Sequence, residues 1–250
     1  MRRLIIAGIV MLVLVGAGAG GLALVSDPRP EGTPGPEADA LARQMLAAVD
    51  VDAWDATGAV AWTFAGRNAH LWDRTRHLGR VRWGGDTEVL VDLGKVQGRA
   101  WVDGAEVTGR KAQKLVEQAH AAWINDSFWL NPVVKAFDDG TTRSLVDVEQ
   151  GRGLMVAYDA GGLTPGDAYL WILDDDARPT AWRMWVSIIP IGGLENSWEG
   201  WITLPTGAQV ATQHHIKGPG DVTLALTDVR AAATLAELEP GPDPFAPLSP

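Results

Sequence analysis

The chain has 250 residues, 12 tryptophans, no cysteine and a formal net charge of −10. The missing cysteines exclude disulfides, thiolate metal sites, a cysteine nucleophile and a lipobox lipid anchor. The acidic balance, with no lysine and arginine cluster to offset it, argues against nucleic acid as a partner.

Met1, Arg2 and Arg3 form a positive n-region, and residues 4–25 carry no charge. Ala17, Gly18 and Ala19 fit a small-residue cleavage site. The apolar run nevertheless continues to Val25, about 22 residues, which is long enough to span a bilayer. Residues 1–25 are therefore read as a signal peptide or an N-terminal membrane anchor, the longer run favouring the anchor. Either way the rest of the chain lies outside the cytoplasm, on the periplasmic side.

Residues 26–37 are rich in proline and glycine and are expected to be an extended, poorly ordered linker. In residues 38–51, Leu41, Met45, Ala48 and Val51 share one helical stripe. Short strand patterns follow. Val60, Trp62 and Phe64 alternate with Ala61 and Thr63. Further strands are predicted over 69–74, 79–83, 88–93 and 99–102, the last running into Asp103-Gly104, a strong hairpin signal.

Residues 110–137 are the one long helical pattern beyond the N-terminus. Leu115, Ala119, Ala122 and Trp123 recur at spacings of three and four, with Lys111, Lys114, Glu117 and Gln118 on a polar side. Asn125-Asp126-Ser127 can end this helix or cap a new turn. Asn131-Pro132 reads as an N-cap followed by proline at the first position of a short second helix. The far end, with Trp123, Ile124, Phe128, Trp129 and Leu130, is bulky and apolar.

Strands then resume over 144–149, 153–159, 168–173, 180–189, 194–204, 208–216 and 221–230. Trp182, Met184, Val186 and Ile188 fall on one face of their strand, with Arg183, Trp185 and Ser187 on the other. Trp198 and Ile202 alternate with Glu199, Trp201 and Thr203. Residues 231–250 are a proline-rich tail.

About ten strand patterns with turns every 8–12 residues indicate an antiparallel sheet in a single domain over 38–230. No strand–helix alternation supports a parallel α/β fold. The expected class is mainly β (α+β): a strongly curved antiparallel half-barrel wrapped around the helical insertion 110–137, with a closed lipocalin-like barrel as a variant.

Catalytic and cofactor motifs are missing: no GxSxG, HExxH or P-loop occurs, and no cofactor is expected. His214 and His215 are adjacent on a strand, so they point to opposite faces and cannot easily grip one ion. Asp174-Asp175-Asp176 lacks the ligand spacing of a calcium loop and reads as an acidic turn. Glu195 and Glu199 lack an opposing acid that would make them a glycosidase pair.

The tryptophans are the main signal, since so large a side chain needs burial or a ligand. Trp62, Trp123, Phe128, Trp129, Trp171, Trp182, Met184, Trp198 and Ile202 are the candidate lining of a hydrophobic cavity for a lipid or acyl chain. Two other readings are open. Trp185 and Trp201 could form a flat platform for glycans or proteins, or His214 or His215 could work with a carboxylate in a hydrolase.

The order of elements resembles the LolA/LolB-like periplasmic lipoprotein-carrier superfamily. The similar stretches are Trp101-Val102-Asp103-Gly104 before the helices, Tyr169-Leu170-Trp171-Ile172-Leu173-Asp174 followed by Arg178-Pro179, and Leu226-Thr227-Asp228-Val229 near the end. The resemblance covers roughly residues 38–230 and implies a half-barrel with helices as plug or lid, binding lipid or acyl chains without catalysis. Two departures stand against lipoprotein shuttling: the lipobox cysteine is absent, and a retained anchor does not suit a free shuttle.

Overall fold

The computed structural model describes residues 26–160, 164–217 and 222–249. The apolar segment 4–25, and with it the anchor reading, lies outside the described residues. Among these residues no helix is long and apolar enough to cross a membrane.

Among the described residues the protein is mainly β, with fifteen antiparallel strands and a few helices. The strand order is β1-β8-β9-β10-β11-β12-β14-β15-β2-β3-β4-β5-β6-β7, with β13 beside β14. The path ends at β1 and β7, so the sheet is open and the closed-barrel variant does not apply. By compactness the chain divides into two units. Of the described residues, one unit holds those up to Val51 and those within Asn131–Trp201 and Ala211–Leu224; the other holds Asp52–Leu130, Ile202–Val210 and those from Ala225 on.

In the first unit, α1 (Pro36–Ala48) packs on β8 (Thr141–Val146) and β9 (Arg152–Tyr158). Its buried face is Ala38, Leu41, Ala42 and Met45, and Arg143 of β8 reaches Asp39 at 2.6 Å. The residues before α1 are extended as expected, but they are tied down rather than loose. β1 (Thr33–Pro34) pairs with Ser144 and Leu145, and the Trp185 indole N–H donates to the Asp27 carbonyl at 2.9 Å. Composition signals a linker but not that a sheet edge is free to take it.

The same unit carries β10 (Ala168–Leu173), β11 (Pro179–Trp185), β12 (Leu194–Ser197), β13 (Glu199–Thr203, which runs past the unit's edge) and β14 (Gln209–Ile216). Directly opposed residues share a face of a sheet. The register Leu145–Leu154–Trp171–Trp182–Asn196–Ile216 therefore forms one transverse row across six strands. The strand expected over 180–189 stops at Trp185, leaving Ile188 exposed. The strand expected over 194–204 is two strands, broken around Trp198 and Gly200, whose φ is 62°. That break changes the alternation: Ile202 is 37% exposed and Trp201 is half-buried.

The second unit begins with α2 (Val51–Asp55) and the meander β2 (Ala59–Phe64), β3 (Asn68–Asp73), β4 (Leu78–Trp83), β5 (Thr87–Asp92), β6 (Gln97–Val102) and β7 (Ala105–Val107). The hairpin at Asp103-Gly104 has φ of 52° and 74° at its central residues. Both values are positive, as a type I′ turn requires. A second transverse row, Trp62–His70–Val81–Val89–Ala100, runs across five strands.

Helix α3 (Gly109–Leu130) lies over β4, β5 and β6. It does not end at Asn125-Asp126-Ser127 but continues to Leu130, and Pro132–Lys135 follows as a 3-10 turn with Asn131 at its N-cap. Its buried stripe is Val116, Ala119, Ala122, Asp126 and Leu130. Leu115 and Trp123 sit partly buried on the flank of the Val81–Val89–Ala100 cluster. Small alanines bring the helix close to the sheet, which leaves the bulkier side chains at the margin.

β15 (Val222–Ala232) pairs with β2. The residues after it are packed rather than a loose tail. Helix α4 (Leu235–Leu238) is capped by the Thr234 hydroxyl, and Phe245 is 1% exposed in a cluster with Leu71, Leu90 and Leu238. Arg76 fixes this segment through paired hydrogen bonds to Asp243 of 2.6 and 2.9 Å.

Candidate functional site

The expected cavity residues fall into separate groups. In the first unit Trp171, Trp182 and Trp198 come together. Trp171 and Trp182 are direct cross-strand partners with centroids 5.0 Å apart, and Trp198 lies 5.1 Å from Trp171 and 5.0 Å from Trp182. Tyr169 extends the stack at 4.6 Å from Trp182. The His214 ring closes against Trp198 at 4.2 Å. Met184, two residues on from Trp182 and opposite Tyr169, is buried on the same face. All three indoles are buried.

Polar groups edge this aromatic wall. Asn196 stands opposite Trp182 in an otherwise apolar row and is fully buried. Its Oδ1 and the Trp198 Nε1 are both sealed from solvent without a protein hydrogen-bond partner. One is an acceptor and the other a donor. Nearby, Asp167 receives hydrogen bonds from the Thr164 hydroxyl and from the Ser187 N–H at 3.0 Å. Burial nonetheless pushes its carboxyl above the ordinary range. Burial likewise raises Tyr158 and Tyr169.

The two outward tryptophans are both engaged. Trp185 donates to Asp27, and the Trp201 indole N–H donates to the Trp198 carbonyl at 3.2 Å. The Arg178 guanidinium lies 5.2 Å from the Trp201 ring centre.

In the second unit Trp123 meets Trp72 edge-on at 5.1 Å and His77 at 5.4 Å, with His120 stacked at 6.2 Å. Burial lowers the His120 imidazole pKa. Phe128 is half-buried and Trp129 buried at the end of α3. Ile202 stands on an exposed strand face. Trp62 lies in its buried row, stacked on His70 at 4.5 Å with 12° between the planes.

Sequence reasoning missed one constellation beside Trp62. The His70 Nε2 lies 2.7 Å from Asp126 Oδ2, and both side chains are buried. Asn68 Nδ2 donates to the same oxygen at 2.8 Å, and Asn125 Nδ2 donates to Oδ1 at 2.8 Å. Asp126 looked like a helix end because Asn-Asp-Ser is cap chemistry. The available signal was its place four residues after Ala122 on the buried stripe.

The acidic turn behaves as its composition suggests. Asp174 Oδ1 accepts the N–H groups of Asp176 and Arg178 at 3.0 and 2.9 Å. Glu195 pairs with Arg183 and Lys217, which outweigh its burial and hold its carboxyl below the usual range. His214 Nδ1 meets the Ser197 carbonyl at 3.3 Å, and His215 Nδ1 meets the Thr223 hydroxyl at 3.0 Å. Among the described residues no group of three or more His, Asp or Glu is placed to hold a metal ion.

No family model matches the chain, and no curated protein matches it. Among solved structures it is similar to a DUF1329 family protein from Desulfovibrio piger. The identity is 11%, the TM-score 0.41, and the alignment covers 81% of this chain and 97% of the other. At that level the likeness carries no argument about ligand or activity.

Proposed function

We propose that the protein is an exported, non-catalytic binder of a hydrophobic ligand, a lipid or acyl chain, held against Trp171, Trp182 and Trp198. In this reading residues 4–25 tether it to the membrane from the periplasmic side. The supporting observation is the aromatic wall with Trp198 Nε1 and Asn196 Oδ1 buried and unpartnered at its edge. An apolar chain gains about 0.8 kcal/mol per methylene removed from water. A polar end group that accepts from the indole and donates to the amide would satisfy two atoms that are otherwise costly to bury.

The platform reading has less support. The Trp185 and Trp201 indole N–H groups are already used within the chain, and Arg178 lies over the Trp201 ring.

The test is binding of a fluorescent fatty-acid probe to Trp182→Ala, Trp198→Phe, Trp185→Ala and Trp201→Ala, with folding checked by circular dichroism. Loss confined to the first two supports the reading. Affinity indifferent to all four overturns it. Native mass spectrometry after gentle extraction identifies any co-purifying lipid.

A further inference from the structure

His70 is out of place by composition. It sits between Trp62 and Val81 in the row Trp62–His70–Val81–Val89–Ala100, whose other members are all apolar and buried. An imidazole belongs there only if its two nitrogens are satisfied. One is: Asp126, presented by α3, holds Nε2 at 2.7 Å. The carboxylate also accepts from Asn68 and Asn125. A carboxylate only accepts, so Nε2 carries the proton and Nδ1 of the neutral ring is an acceptor. That Nδ1 is buried without a protein partner, and so is the Nε1 of Trp62, the ring stacked on it.

This is how proteins prepare a working imidazole. A carboxylate fixes the tautomer and the ring plane, leaving the other nitrogen to the substrate. Stacking on Trp62 removes the remaining rotational freedom. The pair then offers one acceptor, His70 Nδ1, and one donor, Trp62 Nε1–H, set in apolar surroundings.

We infer that His70 and Trp62 form a binding site in the second unit for a hydroxyl group carried on an apolar skeleton. The ligand oxygen accepts from the Trp62 indole, and its O–H donates to His70 Nδ1. Asp126 and Asn68 are positioning residues, acting through the imidazole.

The experiment uses the full-length, ¹⁵N-labelled protein. Phenol and 1-octanol are titrated in, with toluene and octane as hydroxyl-free controls. The readouts are the Trp62 indole N–H resonance and the His70 Nδ1 shift. The expected result is that at least one alcohol moves both signals saturably while its hydrocarbon control does not. Trp62→Phe keeps the stacked ring and removes the donor. It should weaken the binding of that alcohol, followed at His70, roughly tenfold with the fold unchanged. Alcohols that leave both signals in place overturn the inference, whether or not a bound water is detected at the indole N–H; an ordered water would then be the sole occupant. Hydrocarbons that move the signals as strongly as the alcohols also overturn it.

Discussion

Trp182 and Trp198 meet edge to face, with centroids 5.0 Å apart and planes at 75°. The residue opposite Trp182 in the ladder is Asn196, not Trp198. Trp198 lies just beyond β12, two residues on from Asn196 and so on the same face, and its backbone N–H donates to the Thr180 carbonyl at 2.8 Å. T-shaped contact is a preferred arrangement of aromatic pairs.

Trp182→Ala should therefore cost about 3–5 kcal/mol, the range for emptying a packed aromatic site. Trp123, half-buried on the flank of α3, should cost less on the same change, about 2 kcal/mol. Chemical denaturation followed by circular dichroism gives both numbers. Equal losses would mean that the two sites are packed alike.

The His70–Asp126 pair predicts non-additive mutants. Asp126→Ala leaves a buried imidazole nitrogen unpaired and should destabilise by about 3 kcal/mol. In the His70→Leu background the same change should cost clearly less, because no orphaned nitrogen remains. A double-mutant cycle with no coupling energy would remove the pair from any account of how α3 is held.

Asp167 predicts a pH dependence of unusual sign. Burial raises its carboxyl pKa from the ordinary 3.8, so the folded protein holds this proton more tightly than the unfolded chain. The stability it contributes is complete below the unfolded value and is lost as pH rises through the folded one. Asp167→Asn should flatten that fall. Denaturation midpoints measured from about pH 4 upward check the slope, and an unchanged slope in the variant would assign it to other groups.

The C-terminal segment makes the opposite case. Arg76 holds Asp243 at about 2, so this pair contributes above the ordinary carboxylate range and is lost only as pH falls toward that value. Both partners are substantially exposed, which limits Asp243→Asn to under about 1 kcal/mol, and less in salt. Phe245→Ala should instead cost about 3–4 kcal/mol. Limited proteolysis after Leu238 reports the release of the segment.

For residues 4–25, the proposed anchor predicts that the protein remains in the membrane pellet through salt and alkaline washes. A soluble form beginning at Gly20 would show cleavage.

Much of the fold was legible because its signals are local. Alternation in Val60–Trp62–Phe64, the Asp103-Gly104 turn and proline after Asn131 each act within a few residues. What was hidden depends on distant partners. Asp126 reads as a cap until β3 is seen to bring His70 and Asn68 to it. Ile202 was assigned by counting from Trp198 through Gly200, whose positive φ breaks the count. Phe245 sits in proline-rich sequence, and only the Leu71–Leu90 surface explains its burial. Of the residues singled out as a cavity lining, Trp171, Trp182, Met184 and Trp198 lie on one wall, whereas Trp62 and Trp123 lie in other clusters.

The pairing of β15 with β2 sets the timing of assembly. Leu226 lies opposite Phe64, and Ala231 opposite Val60, so β2 waits for a partner made long after it in the chain. Closing so long a loop is entropically costly and slow. Until it closes, the Val60–Trp62–Phe64 edge offers open hydrogen-bonding groups to any passing strand. A premature stop codon shortly before Val222 would thus do more than trim an end: it would leave a newly made chain with a permanently sticky margin, and aggregation would compete with folding from the first seconds of its life.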